Sequence, residues 1–89
     1  MTSEKDIRII IETAKKYKIT TLFLFGSSSV PDMDSADIDL AVKGIAPWVF
    51  FKFYGELFKK LSKPVDLIDL SENSLFNRLI EEKGIKIYG

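Results

Sequence analysis

The run Thr20-Thr21-Leu22-Phe23-Leu24-Phe25 is β-branched and aromatic and stops at Gly26, so it reads as a buried strand. Helical patterns stand on both sides of it. Ahead, Ile7, Ile10, Ile11 and Ala14 recur at helical spacing, and Ser3 with Asp6 three residues on resembles a capping box. A first helix is therefore predicted from about Glu4 to Tyr17. Behind, Gly26 to Ala36 is a polar loop of small residues around Pro31, with room for a helical turn. The segment Asp37-Ile38-Asp39-Leu40-Ala41-Val42 opens with polar/apolar alternation and predicts a second strand, closed by Gly44. Pro47 suits the first turn of a second helix, and Phe50, Tyr54, Leu57 and Leu61 mark its core stripe. Pro64 introduces a third strand, Val65 to Asp69. Ser71 is the expected cap of a last helix from about Glu72 to Lys83, with Gly84 as its C′ residue, and Ile85 to Tyr88 forms a short final strand. Hairpin signals between the first two strands are weak. The order α-β-loop-β-α-β-α-β thus predicts an α/β (α+β) protein, a small mixed β-sheet with helices packed on it.

At 89 residues, with no linker or repeat, the whole of 1–89 is expected to be one domain. The chain has neither cysteine nor histidine. That excludes a disulfide framework, a thiolate zinc site and any Ser-His or Cys-His nucleophile. A metal would have to sit on oxygen ligands, which points to magnesium, manganese or calcium. Thirteen basic residues balance thirteen acidic ones, so no strong non-specific binding to nucleic acid or anionic membrane is expected. No apolar run is long enough to span a bilayer and no signal-like segment leads the chain, so a cytoplasmic location is expected.

Three features carry chemistry. Gly26-Ser27 follows directly on a strand, and a glycine-containing polar turn with free N–H groups can cradle phosphate oxygens. Asp37 and Asp39 lie two apart on a predicted strand, so both leave the same face while Ile38 and Leu40 point into the core. Two neighbouring carboxylates repel each other unless a cation sits between them. Asp66 places a third acid inside the apolar strand Val65-Asp66-Leu67; Asp69, three residues on, faces the other side and is the weaker candidate. Taken singly, each feature has an ordinary reading as a turn, a solvated strand face or an edge residue. Asp32 and Asp34 read as turn and cap residues, Arg8 and Arg78 as solvated helix residues, and Lys43 as a secondary candidate for approaching a phosphate.

The run Leu24-Phe25-Gly26-Ser27, followed after nine residues by Asp37-Ile38-Asp39-Leu40 and later by Val65-Asp66-Leu67-Ile68, resembles the signature of the DNA polymerase β-like nucleotidyltransferase superfamily. With so short a chain and a leading helix, it is most similar to the minimal nucleotidyltransferase (MNT) group, often paired with HEPN-domain toxins. The resemblance implies that Gly26 and Ser27 contact the β- and γ-phosphates of a nucleoside triphosphate, most naturally ATP. It implies that Asp37, Asp39 and Asp66 form the catalytic metal site for two Mg²⁺ ions, with Asp66 also helping to activate the attacking hydroxyl. Attack at the α-phosphorus would transfer a nucleotidyl group, AMP from ATP, to a hydroxyl acceptor, which in this group is often the HEPN toxin itself. One departure stands out. Small members commonly carry arginines in the loop after Gly-Ser, where this chain has Ser28-Ser29-Val30-Pro31. The loss of that charge favours an alternative function, a catalytically weak antitoxin-like binding module that neutralises its partner by occlusion.

The second helix has another feature. On a helical wheel Phe50, Phe53, Tyr54 and Leu57 share one face, whereas Trp48, Phe51 and Phe58 fall on another. A helix apolar on two sides is either deeply buried or in contact with a partner, and deep burial all round is hard to arrange in 89 residues. The second face is therefore expected to meet a HEPN-type protein or a second copy of the chain.

Overall fold

The computed structural model describes residues 1–89. Helix α1 (Glu4–Lys16) leads into β1 (Thr21–Leu24), a short 3₁₀ turn (Gly26–Ser29) and β2 (Ile38–Lys43). Then follow α2 (Pro47–Lys60), β3 (Val65–Asp69), α3 (Leu75–Lys83) and β4 (Ile85–Tyr88). The four strands form one sheet in the order β3-β2-β1-β4. β1 pairs antiparallel with β2 and with β4, while β2 and β3 run parallel, so the sheet is mixed as the sequence predicts.

The strand pleat divides the apolar residues between two layers. Leu22 and Leu24 of β1, Ile38, Leu40 and Val42 of β2, and Val65 and Leu67 of β3 face α1 and α2, where they join Ile10, Ala14, Phe53, Leu57 and Leu61 in the main core. On the other face Phe23 and Ala41 meet Leu70 and Ile80 beneath α3. Alternation along β2 therefore leaves Asp39 on the α3 side, opposite the main core. Phe53, edge-on to Tyr17, is the largest fully buried side chain of the protein. Phe53→Ala should lower unfolding free energy by about 3–5 kcal/mol, the scale for emptying a buried phenyl site, as read by urea denaturation.

Local corrections to the sequence reading have clear causes. Ser3 caps α1 by accepting the N–H of Asp6, but Asp6 does not bond back: it is buried and accepts from the N–H and hydroxyl of Ser62 instead. Asp6, in the first turn of α1, thus ties the helix to the α2–β3 connection. The last helix starts three residues later than expected, because Ser74, not Ser71, caps it, accepting the Asn77 N–H at 3.0 Å. The Ser71 N–H is engaged at 2.9 Å by the Asp69 carboxylate in a turn, which keeps residues 71–73 out of the helix. Gly84 is not a left-handed C′ residue; its φ is −71°. It is required for space, since a Cβ there would lie 2.6 Å from the Ile80 carbonyl oxygen and 2.9 Å from that of Leu24.

Candidate active site

Two of the three aspartates lie side by side at one edge of the sheet, on the face away from α1 and α2: parallel pairing sets Asp39 of β2 directly beside Asp66 of β3. Asp37 sits in the bend just before β2, which begins at Ile38 rather than at Asp37 as the sequence predicts. Burial is the main influence raising the Asp39 pKa above the ordinary carboxylate value, followed by the negative charges of Asp66 and Asp37. Asp69, by contrast, pairs beside Val42 at the far end of the strand. No three acidic side chains are gathered tightly enough to cage an ion unaided. Magnesium does not need such a cage: it is commonly held by one or two carboxylates with substrate phosphates and water completing the octahedron. An oxygen-only, mutually repelling donor set of this kind fits an ion that arrives with a nucleotide.

Gly26 closes against this acid cluster. Its φ of +58° is the left-handed region, and a Cβ at that position would lie 2.8 Å from Asp39 Oδ2. Backbone and carboxylate can approach this closely only because the residue is glycine. The Phe25 N–H donates to the Asp39 carbonyl at 3.2 Å, so the turn leaves β1 anchored to the acidic strand.

Ser28 holds the turn in place, and the sequence reading missed it. Fully buried, it accepts the Asp39 N–H at 2.8 Å and donates to the Asp37 carbonyl at 3.1 Å, bridging both acids through their backbones. Ser27 donates to Ser35 Oγ at 2.9 Å, and Ser35 in turn donates to the Asp37 carbonyl. The serine-rich loop is therefore a hydrogen-bonded mount for Asp37 and Asp39. The clue was available: three successive serines placed beside an Asp-x-Asp strand start offer local hydroxyls to an interrupted backbone ladder. Ser28→Ala should lower the unfolding free energy by about 1–3 kcal/mol, because it leaves the Asp39 N–H without an acceptor. Urea denaturation reads the change directly.

Other candidates lie elsewhere. Asp34 pairs with Lys63 at 2.7 Å, and that lysine holds its pKa below the ordinary value, while Asp32 sits at φ +61° in the loop. Both are loop residues, as expected. Lys43, at the opposite end of β2 from Asp39, pairs with Glu81 at 2.7 Å and does not approach the acids. Arg8 and Arg78 are exposed on α1 and α3.

Comparison with known proteins identifies the family and the fold. Residues 8–89 match the family profile described as "Polymerase beta, Nucleotidyltransferase". The chain belongs to that family. A search of curated proteins gave no sequence match. Among solved structures, this nucleotidyltransferase domain is similar to a chain of a toxin–antitoxin complex crystallised with AMP-PNP, at 26% identity and TM-score 0.75, covering 93% of this chain and 73% of that one. It is similar in fold to a chain of the MntA–HepT toxin–antitoxin complex (22% identity, TM-score 0.73, 98% and 73% covered). A further neighbour is the complex of tri-AMPylated Shewanella oneidensis HEPN toxin with its MNT antitoxin (24% identity, TM-score 0.73, 97% and 71% covered). The minimal-nucleotidyltransferase resemblance read from the motif is borne out in family and fold. No helix is long and apolar enough to cross a membrane.

Proposed function

We propose that this nucleotidyltransferase domain binds a Mg²⁺-nucleoside triphosphate, ATP by preference, and transfers the nucleotidyl group to a hydroxyl of a HEPN-domain partner, acting as the antitoxin. The observation that carries the reading is the Gly26–Asp39–Asp66 arrangement: a glycine turn packed against one of two carboxylates that lie side by side. In this reading Asp37, Asp39 and Asp66 are the catalytic metal-ligating acids, and Gly26 and Ser27 hold the β- and γ-phosphates. Metal ions bound there would neutralise charge on the entering and leaving oxygens of an in-line displacement. The acceptor oxygen forms a bond to the α-phosphorus as the bond to the bridging oxygen of the β-phosphate breaks, and pyrophosphate leaves. Asp66, exposed where its neighbour Asp39 is half-buried, is in this reading the side chain in reach of an incoming hydroxyl and takes its proton. The related complexes, one bound to AMP-PNP and one containing an AMPylated HEPN toxin, support both the donor and the acceptor.

A second reading rests on α2. Trp48 and Phe51 are each 75% exposed and Phe58 is 69% exposed, three large aromatics on the solvent side of one helix, the kind of exposed apolar surface that marks an interaction site. A protein that neutralised its partner through this face alone would need no catalysis. Calorimetry with a non-hydrolysable ATP analogue separates the two. Transfer chemistry requires binding that depends on Mg²⁺, and equal affinity with and without Mg²⁺ would exclude it.

A further inference from the structure

The Gly26 turn carries no positive charge of its own: residues 27–31 are Ser-Ser-Ser-Val-Pro. A triphosphate brought to it would add several negative charges beside three aspartates. A cation does border the turn, but it comes from the other end of the chain. Antiparallel pairing sets Ile85 of β4 opposite Leu24 of β1, so the end of α3 arrives next to the Leu24-Phe25-Gly26 exit. There a cavity of about 400 Å³ opens between turn and helix, lined by Gly26 and Ser29 on one side and by Phe76, Leu79 and Lys83 on the other, with Phe25 in its wall. Lys83 is the only charged residue lining it. The four ion pairs of the protein use Lys16, Lys43, Lys60 and Lys63, so Lys83 is uncommitted.

We propose that Lys83 is the phosphate-binding cation of this domain, reaching the terminal phosphates of the nucleotide across the cavity between α3 and the Gly26 turn. Phe25 and Phe76 meet edge-to-face with ring centroids 6.3 Å apart and form the apolar side of the cavity, so its polar contacts come from the turn and from Lys83. A flexible lysine also suits a terminal phosphate, which it meets as a point charge without the fixed fork of arginine. The ordinary role for a lysine in a last helical turn is to complement the helix dipole. That role predicts a small effect on stability and none on nucleotide affinity.

The inference rests on the proposed nucleotide site, and the test separates the two. Affinity for a non-hydrolysable ATP analogue with Mg²⁺ is measured by calorimetry for the full chain, Lys83→Ala, Lys83→Arg and Lys18→Ala. The last removes the same charge from an exposed position just before β1, at the opposite end of that strand from Gly26. Lys83→Ala should weaken binding about tenfold, as for a lost charged hydrogen bond, Lys83→Arg should restore most of it, and Lys18→Ala should match the wild type. Inorganic tripolyphosphate should compete with the analogue, and less well against Lys83→Ala. Wild-type affinity in Lys83→Ala, or an equal loss in Lys18→Ala, overturns the role of Lys83 while leaving the nucleotide site standing. A wild-type chain that binds no triphosphate overturns both.

Discussion

Asp39→Asn should make the free protein more stable at neutral pH while cutting nucleotidyl transfer by about 10²–10³-fold, the scale for losing one preorganised electrostatic group. The two effects share one cause. Burial first, and then Asp66 and Asp37, raise the Asp39 pKa above its ordinary 3.8. A carboxyl with a raised folded-state pKa contributes stability below the unfolded value, and that contribution is lost as pH rises through the raised one. At pH 7 the ionised Asp39 is therefore a net cost to the fold. Asparagine removes the charge and the cost together, and the gain should fade as pH falls through the raised folded value and be gone about a unit below the unfolded value of about 3.9. Thermal melts of both proteins at about pH 2.5 and pH 7, beside a Mg²⁺ titration, check this. A mutant less stable than wild type at pH 7 would mean that the acid is held by contacts other than those seen at the sheet edge. Sites built from mutually repelling groups commonly trade stability for function in this way.

The second large effect concerns α2. Phe51→Glu and Phe58→Glu should each weaken association with the partner by about 2 kcal/mol or more, roughly thirtyfold, since buried aromatics dominate interface energies. The fold should survive, because both side chains are exposed and the main core is built from Phe53, Leu57 and Leu61. Substitutions at such positions usually shift stability by no more than about 0.5 kcal/mol. Sedimentation of wild type and mutants, alone and with a HEPN-domain protein, distinguishes the partners: loss of self-association points to a second copy, loss of the mixed complex to the HEPN protein. Mutants that associate as the wild type does would remove this face from the interface.

Much of the fold was legible because its elements differ in period. The alternation of Ile38, Leu40 and Val42 with Asp39 and Ala41 predicts both the strand and the face on which the acid lies. Phe53 and Leu57 follow the helical period, and Trp48, Phe51 and Phe58 separate onto a second, exposed face as the helical wheel predicts. Boundaries set by competition between side-chain hydrogen bonds were not legible. Ser71 and Ser74 are equivalent cap candidates by type, and only the capture of the Ser71 N–H by Asp69 decides between them. Asp6 satisfies the pattern of a capping box, yet its carboxylate is used by Ser62, a residue remote in sequence.

The candidate site divides in the same way. Strand parity could place Asp39 and Asp66 on a common face, because β2 and β3 are regular there, but it does not reach Asp37, which lies in the bend before β2. It could not show that Gly26 packs within Cβ distance of the Asp39 carboxylate, nor that Ser28 joins the loop to both acids. Those contacts depend on the 3₁₀ turn folding back over the start of β2, a tertiary arrangement with no periodic signature. Lys83 is remote from Gly26 in sequence and reaches it only through the β1–β4 pairing.

The central claim is that this domain modifies its partner. The most direct measurement incubates the chain with ATP, Mg²⁺ and the protein encoded in the adjacent reading frame, then reads the partner's intact mass. The account predicts a partner carrying one or more added AMP groups with the wild-type chain and none with Asp39→Asn. A partner that binds the wild-type chain tightly yet keeps its original mass would contradict it, and would leave neutralisation by occlusion as the function.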